Sequence, residues 1–309
     1  YSMCAHFKKT NIIPGGFSEK VYLSEEHLKN VAHIIPENMT DEEIAFYEPL
    51  GCCVRAIKRC ELPKKSKVLV IGLGSIGFLM AQGLKAFGMD VYGCDLIDDR
   101  IELANKNGIK AFNSKDLDET VKFIKSQTED LGVDAVFMTS GADAAIEPAL
   151  KTVRSGGKIL IFASTPKNFG YANNEIYYRE LTVLGSYSPS PKDLEDSYNL
   201  LKDGKVNVHG ISTIFNIDDI QKAFDSYPQG KQLKGLANYL KKTKAKFMLV
   251  IKNTEFILNS AILANQKITT TSSSITSDYY ENYSYKWQCQ NGKYQGTGGC
   301  ICEGCVRKS

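Results

Sequence analysis

Lys67-Val-Leu-Val-Ile71, followed without a break by Gly72-Leu-Gly74-Ser75-Ile76-Gly77, is the stretch that decides how this chain folds. An apolar run feeding a G-x-G-x-x-G turn reads as a strand that delivers backbone to a dinucleotide phosphate. In that reading Gly72 allows the tight turn out of the strand. Gly74 lets the main chain approach a pyrophosphate with no side chain between, and Gly77 lets the following helix pack closely on the sheet. The helix N-terminus then meets the phosphate charge with its free N–H groups.

Glycine-rich turns also occur with no ligand, so the flanking residues decide between a nucleotide site and a bare strand-turn-helix. Ile76, Leu79, Met80, Leu84 and Phe87 recur at the spacing of one buried helical face, which predicts a helix over 76–87, stopped by Gly88. A second apolar run, Val91-Tyr-Gly-Cys94, ends in Asp95. That is where a dinucleotide-binding unit needs an acid to accept hydrogen bonds from the adenosine ribose hydroxyls. A carboxylate there favours NAD over NADP, whose 2′-phosphate would meet a like charge. Strand, glycines, helix and acid in one register favour the nucleotide reading over the bare one.

Beyond Asp95 the chain keeps alternating between strand-like and helix-like segments, the pattern of an α/β fold with a parallel sheet covered on both faces. Strands are predicted at Val68–Ile71, Val91–Cys94, Ile109–Phe112, Val133–Met138, Lys158–Phe162 and Leu181–Leu184. Helices are predicted at Asp98–Lys106, Asp118–Glu129 and Ala142–Val153, the last stopped by Ser155-Gly-Gly157. This makes a doubly wound parallel Rossmann sheet over roughly 52–187. Gly141 and Ala163-Ser164 fall just past strand C-termini, where ligands bind in such sheets.

Composition bounds the partners. With 309 residues and 43% hydrophobic content, two domains are expected. A net charge of +3 with no single basic stripe argues against nucleic acid as the main partner. No run of eighteen apolar residues suggests a membrane span. Tyr1-Ser-Met-Cys-Ala-His-Phe-Lys-Lys9 lacks the apolar core of a signal peptide, so a cytoplasmic location is expected, and the first residue not being methionine suggests a fragment.

Three further stretches are not part of a nucleotide-binding unit: Pro14-Gly-Gly-Phe-Ser-Glu-Lys-Val-Tyr22, Tyr47-Glu48-Pro49-Leu50-Gly51, and Gly204–Tyr239 with its Asn216-Ile-Asp-Asp-Ile-Gln-Lys-Ala-Phe224 and Gly230-Lys-Gln-Leu-Lys234 segments. Together with the fingerprint they resemble the zinc-dependent medium-chain dehydrogenases of the alcohol dehydrogenase superfamily, most closely the sorbitol (polyol) and threonine dehydrogenase branch. The resemblance covers about residues 3–240. It implies a remnant of a GroES-like, mostly β catalytic domain over 1–51, the NAD-binding domain over 52–187 and a return segment of the catalytic domain over 188–240. It also implies oxidation of a secondary alcohol or polyol, with zinc polarising the oxygen and NAD taking the hydride. By motif position the cofactor residues would be Gly72, Gly74, Ser75, Ile76, Gly77, Asp95, Leu96, Arg100 and Lys234. Asp95 would hold the ribose, Leu96 would flank the adenine, and Arg100 and Lys234 would bring positive charge. Arg100 also reads as a solvated residue on a helix face. A homo-oligomer through the edge of the sheet is implied as well.

The resemblance also implies a metal site, and here the chain departs from the pattern. The family draws its catalytic zinc ligands from a Cys and a His-Glu pair well upstream, with the E-P-L glutamate nearby. Glu48 is that glutamate, and it reads equally as an acid at the start of the following helix. His6, His27, His33 and His209 form no recognisable ligand pair. Cys4 looks like the last of four cysteines of a structural zinc lobe, while Cys52, Cys53, Cys60 and Cys94 read as buried free thiols. The expectation is a dehydrogenase lacking its first third.

Composition changes after Leu240. Lys241–Lys246 is a basic run, and Thr269–Ser277 is nearly all Thr and Ser and reads as a linker. Cys289, Cys300, Cys302 and Cys305 follow in a C-x10-C-x-C-x2-C spacing that fits zinc, two disulfides or an unrelated appendage. Residues 241–309 therefore stay unassigned. Two functions stand: a zinc-type, NAD-linked alcohol or polyol dehydrogenase, and a non-catalytic NAD-binding module.

Overall fold

The computed structural model describes residues 31–164, 173–216, 221–222, 225, 235–238, 248–252 and 255–257. Helices α1 (Asp41–Ile44) and α2 (Tyr47–Cys60) precede strand β1 (Lys67–Ile71). The chain then alternates through α3 (Ser75–Ala86), β2 (Asp90–Asp95), α4 (Asp98–Lys106), β3 (Lys110–Asn113), α5 (Leu117–Gln127) and β4 (Val133–Met138). A short 3-10 turn (Asp143–Ala145) leads into α6 (Ile146–Thr152), β5 (Val153–Ile161), α7 (Asn173–Tyr178), β6 (Thr182–Gly185) and α8 (Pro191–Lys202).

The six strands form one all-parallel sheet in the order β3-β2-β1-β4-β5-β6. That order reverses direction at β1, so the crevice beyond its C-terminus opens between β1 and β4. Strand periodicity divides the core in two. Val68 and Val70 face one layer with Ala135 and Phe137, against α2, α3 and α8. Leu69 and Ile71 face the other with Val136 and Met138, against Ile124 of α5 and Ala149 of α6. All six expected strands are present, five of them within a residue or two of the expected limits.

The sixth, β5, starts at Val153 rather than Lys158. Helix α6 ends at Thr152, where Val153 turns extended, so Ser155-Gly-Gly157 does not stop the helix. Those residues form an irregularity inside β5: Val133 pairs with Val153, but Ala135 pairs with Lys158. Gly156 takes φ +68° there.

Helices α2 and α8 belong to the same core as the sheet. On α2, Tyr47, Leu50, Val54, Ile57 and Cys60 recur on one buried face, and Leu194 and Leu201 of α8 meet it. A Cβ on Gly51 would lie 2.8 Å from Leu194 Cδ2, so the two helices approach closely at that point. The expected boundary between residues 51 and 52 thus falls inside α2, and α8 follows the expected boundary after 187. Ser190 caps α8 by accepting from Asp193 N–H at 3.3 Å, while Asp193 accepts from Ser190 N–H at 3.0 Å. Lys58 of α2 reaches the same carboxylate at 2.9 Å.

A second sheet holds β7 (Thr213–Asn216), β8 (Gly235–Asn238), β9 (Met248–Lys252) and β10 (Glu255–Ile257) in the order β10-β9-β8-β7. Strands β7 and β8 are parallel, and β9 is antiparallel to both of its neighbours. No described helix is long and apolar enough to cross a membrane.

Candidate cofactor site

The glycine-rich turn leaves β1 at its C-terminal end, where Gly72 takes φ +92°, a conformation that L side chains rarely adopt. Gly77 has a steric role instead. A Cβ there would sit 1.7 Å from Gly72 O and 2.8 Å from Thr139 Oγ1, so only glycine lets α3 start this close to the strand. Gly74 is the reverse case. A Cβ on it would find only Arg100 Nη1, at 4.0 Å, which leaves open space above the turn.

Gly74 is also the N-cap of α3, and no side chain caps that end. The first helical hydrogen bond is Phe78 N–H to Gly74 O, at 2.8 Å. The amides of Ser75, Ile76 and Gly77 precede it in the first turn and lack intrahelical partners. They present a cluster of donors and the positive end of the helix dipole to whatever fills the space over Gly74.

Asp95 lies at the end of β2 and is only 7% exposed. Its carboxylate binds the turn from the side: Oδ2 accepts from Leu73 N–H at 2.6 Å, and Oδ1 accepts from Leu96 N–H at 2.8 Å and Ile97 N–H at 3.0 Å. Arg100, on α4, approaches Oδ2 at 3.4 Å. Its Nε is buried with no hydrogen-bond partner. A buried donor without an acceptor costs about 1–3 kcal/mol, so a shift of the Arg100 side chain that gave Nε an acceptor would be stabilising. Arg100 is therefore not a solvated helix residue; it leans inward over the turn. Leu96 is 58% exposed beside it, an apolar surface open to a flat ring.

The other loops of this edge stand as the strand pattern requires. Thr139 and Ser140 follow β4, and Thr139 Oγ1 lies 2.6 Å from Gly72 O. A Cβ on Gly141 would be 2.8 Å from Ser164 O, so the loops after β4 and β5 touch. The structure thus brings Gly72, Gly74, Ser75, Ile76, Gly77, Asp95, Leu96 and Arg100 together at one edge. Lys234 lies outside the described residues, as do Cys4, His6, His27 and the four cysteines of the tail. Sequence reasoning missed Thr139; the signal available was its place at the end of the strand paired with β1.

The metal side is different. Glu48 is buried in the first turn of α2 and accepts from the Cys52 thiol at 3.3 Å. Among the described residues, no group of three or more His, Cys, Asp and Glu side chains is placed to hold a metal ion. His33 stacks on Tyr198, and His209 lies beside Glu42 and Glu43. The described residues do not make a zinc site. Cys60 and Cys94 are buried, and burial pushes both thiols up to about 12, which keeps them protonated and inert.

Comparison with known proteins agrees with this picture. The zinc-binding dehydrogenase family matches residues 75–203. A sorbitol dehydrogenase of Halalkalibacterium halodurans is 31% identical, over 76% of this chain and 69% of its own length. A D-arabitol-phosphate dehydrogenase of Enterococcus avium is 28% identical, over 76% of this chain and 67% of its own. Among solved structures, the 2R,3R-butanediol dehydrogenase of Bacillus subtilis superposes with a TM-score of 0.61 at 26% identity, covering 66% of this chain and 59% of that one. The chain thus spans about two thirds of the length of these curated relatives. With this sheet order, this turn and these relatives, the chain belongs to the zinc-type medium-chain dehydrogenases of the alcohol dehydrogenase superfamily.

Proposed function

We propose that the chain binds NAD along the C-terminal edge of the six-stranded sheet and serves hydride transfer between that cofactor and an alcohol or polyol. The observation that carries this is the open space over Gly74, faced by the uncapped start of α3 and bordered by the Arg100 guanidinium, whose Nη1 is the nearest atom at 4.0 Å. NAD, when bound, accepts or returns the hydride. The chain's own part is to hold it. The amides of Ser75, Ile76 and Gly77 would take the pyrophosphate, with Gly74 leaving it room. Asp95 would accept from a ribose hydroxyl in place of the long Arg100 contact, since a carboxylate has about four lone-pair directions and three are already used. Freed from Asp95, Arg100 has donors for a cofactor oxygen, and Lys234 would add charge from the return segment. Leu96 would cover one adenine face.

The polyol class comes from the named relatives, which act on sorbitol and arabitol phosphate by their names. Zinc is the metal the family name implies, and Glu48 is the one residue here matching its neighbourhood, so no step is assigned through it. A cytoplasmic location fits the same reading. Self-association through an edge of this sheet, which ends in β3 on one side and β6 on the other, belongs to the same reading. The second reading, a module that binds NAD without turning over substrate, is favoured by the lack of a metal-type ligand group among the described residues.

The test is to incubate the chain with NAD, zinc and a panel of sorbitol, xylitol, arabitol and simple secondary alcohols, and to follow NADH by absorbance. Turnover restricted to polyols supports the dehydrogenase. Cofactor binding with no turnover on any alcohol supports the non-catalytic module.

A further inference from the structure

We infer that Thr139 is a positioning residue for the cofactor turn, its hydroxyl holding the Gly72 carbonyl beneath the first turn of α3 and away from the phosphate side. This rests on the dinucleotide-binding reading above.

The turn is fixed from both neighbouring strands. From the β2 side, Cys94 O accepts from Gly72 N–H at 2.8 Å and Asp95 Oδ2 accepts from Leu73 N–H at 2.6 Å. From the β4 side, Ile71 O accepts from the amides of Thr139 and Ser140 at 3.1 and 3.2 Å. The Gly72 carbonyl is held by a side chain instead, its donor being Thr139 Oγ1 at 2.6 Å. The same hydroxyl lies 3.0 Å from Ile71 O, but it has one proton, Ile71 O already has two amide donors, and the shorter contact is to Gly72.

Gly72 makes this restraint matter. Glycine at φ +92° has no Cβ to hinder rotation of the peptide that follows it, so the Gly72–Leu73 unit is the part of the turn with most freedom to flip. A flip would aim the carbonyl oxygen at the space over Gly74, putting a partial negative charge where a pyrophosphate binds. It would also turn Leu73 N–H away from Asp95. The hydroxyl of Thr139 therefore keeps one surface of the turn purely donating before any cofactor arrives. Loss of one such hydrogen bond is worth about a five- to tenfold change in an equilibrium.

The test compares Thr139→Val, which keeps the shape but not the donor, with Thr139→Ser, which keeps the donor. NADH affinity is measured by calorimetry, and amide exchange over Gly72–Gly77 by mass spectrometry on the free chain. The expected result is that Val weakens NADH about five- to tenfold and speeds exchange in the turn while the chain stays folded, and that Ser restores both. Unchanged affinity in the Val variant, or a Ser variant as weak as Val, would overturn the assignment. If the parent chain binds no NADH, the dinucleotide reading fails on its own. Exchange then still decides: faster exchange in Val with rescue by Ser keeps Thr139 as the residue that sets the turn, and equal exchange in all three removes it.

Discussion

Gly74 and Gly77 stand three residues apart in one motif, yet the structure needs them for different reasons. Adding a methyl at Gly77 puts a carbon 1.7 Å from a backbone oxygen, whereas at Gly74 the nearest atom is 4.0 Å away. Gly77→Ala must therefore move the helix off the strand, and it should destabilise the chain by more than about 2 kcal/mol in denaturant titration. Gly74→Ala should fold with nearly the parent stability and lose NADH affinity by at least about tenfold, because only the ligand needs that space. A Gly74→Ala chain that binds normally would remove the pyrophosphate role. At this scale the sequence was informative wherever chemistry is local. The glycines and Asp95 were legible because strand, turn and acid have fixed spacing. The inward lean of Arg100 was not, since one basic residue on a helix can face either way until the neighbouring strand is placed.

Among elements, the telling contacts are those made by helices outside the βαβ rhythm. Helix α8 begins with Ser190-Pro191-Lys192-Asp193, a capping-box signature that marks its start, although the resemblance assigns this segment only to a return into another domain. Where glycines punctuate β5, position alone could not tell a helix stop from a bulge inside a strand; the pairing partner decided it. Near α8, His33 stacks on Tyr198 at 4.5 Å and meets Tyr47 edge-on at 5.3 Å, while Tyr198 donates to Ile34 O at 2.8 Å. Burial lowers the pKa of His33 below its ordinary value, against a smaller upward pull from Glu195. The unfolded chain then binds a proton more readily than the folded one. This contribution is fully present above the unfolded value of 6.5 and is lost as pH falls through the folded value. Replacing His33 by Phe keeps the stacking without the titration, so thermal unfolding between pH 7.5 and 5 should show a smaller loss of stability in the variant. Parallel curves for the two chains would contradict it.

For the molecule as a whole, one sheet and its two apolar layers were readable from strand and helix periods, because each β-α unit is built from residues close in sequence. The joint core of α2, α8 and the sheet was less so, since α2 at Gly51 and α8 at Leu194 approach each other across more than a hundred residues. The edge built from Gly72–Gly77, Asp95 and Arg100 is proposed as an NAD site. Its most direct test is calorimetric titration of the chain with NADH and with NADPH, run beside Asp95→Ala. Saturable one-to-one binding that favours NADH, with both affinity and preference reduced in the variant, is the predicted result. No NADH binding by a folded chain, or affinities for both cofactors that Asp95→Ala leaves unchanged, would contradict it.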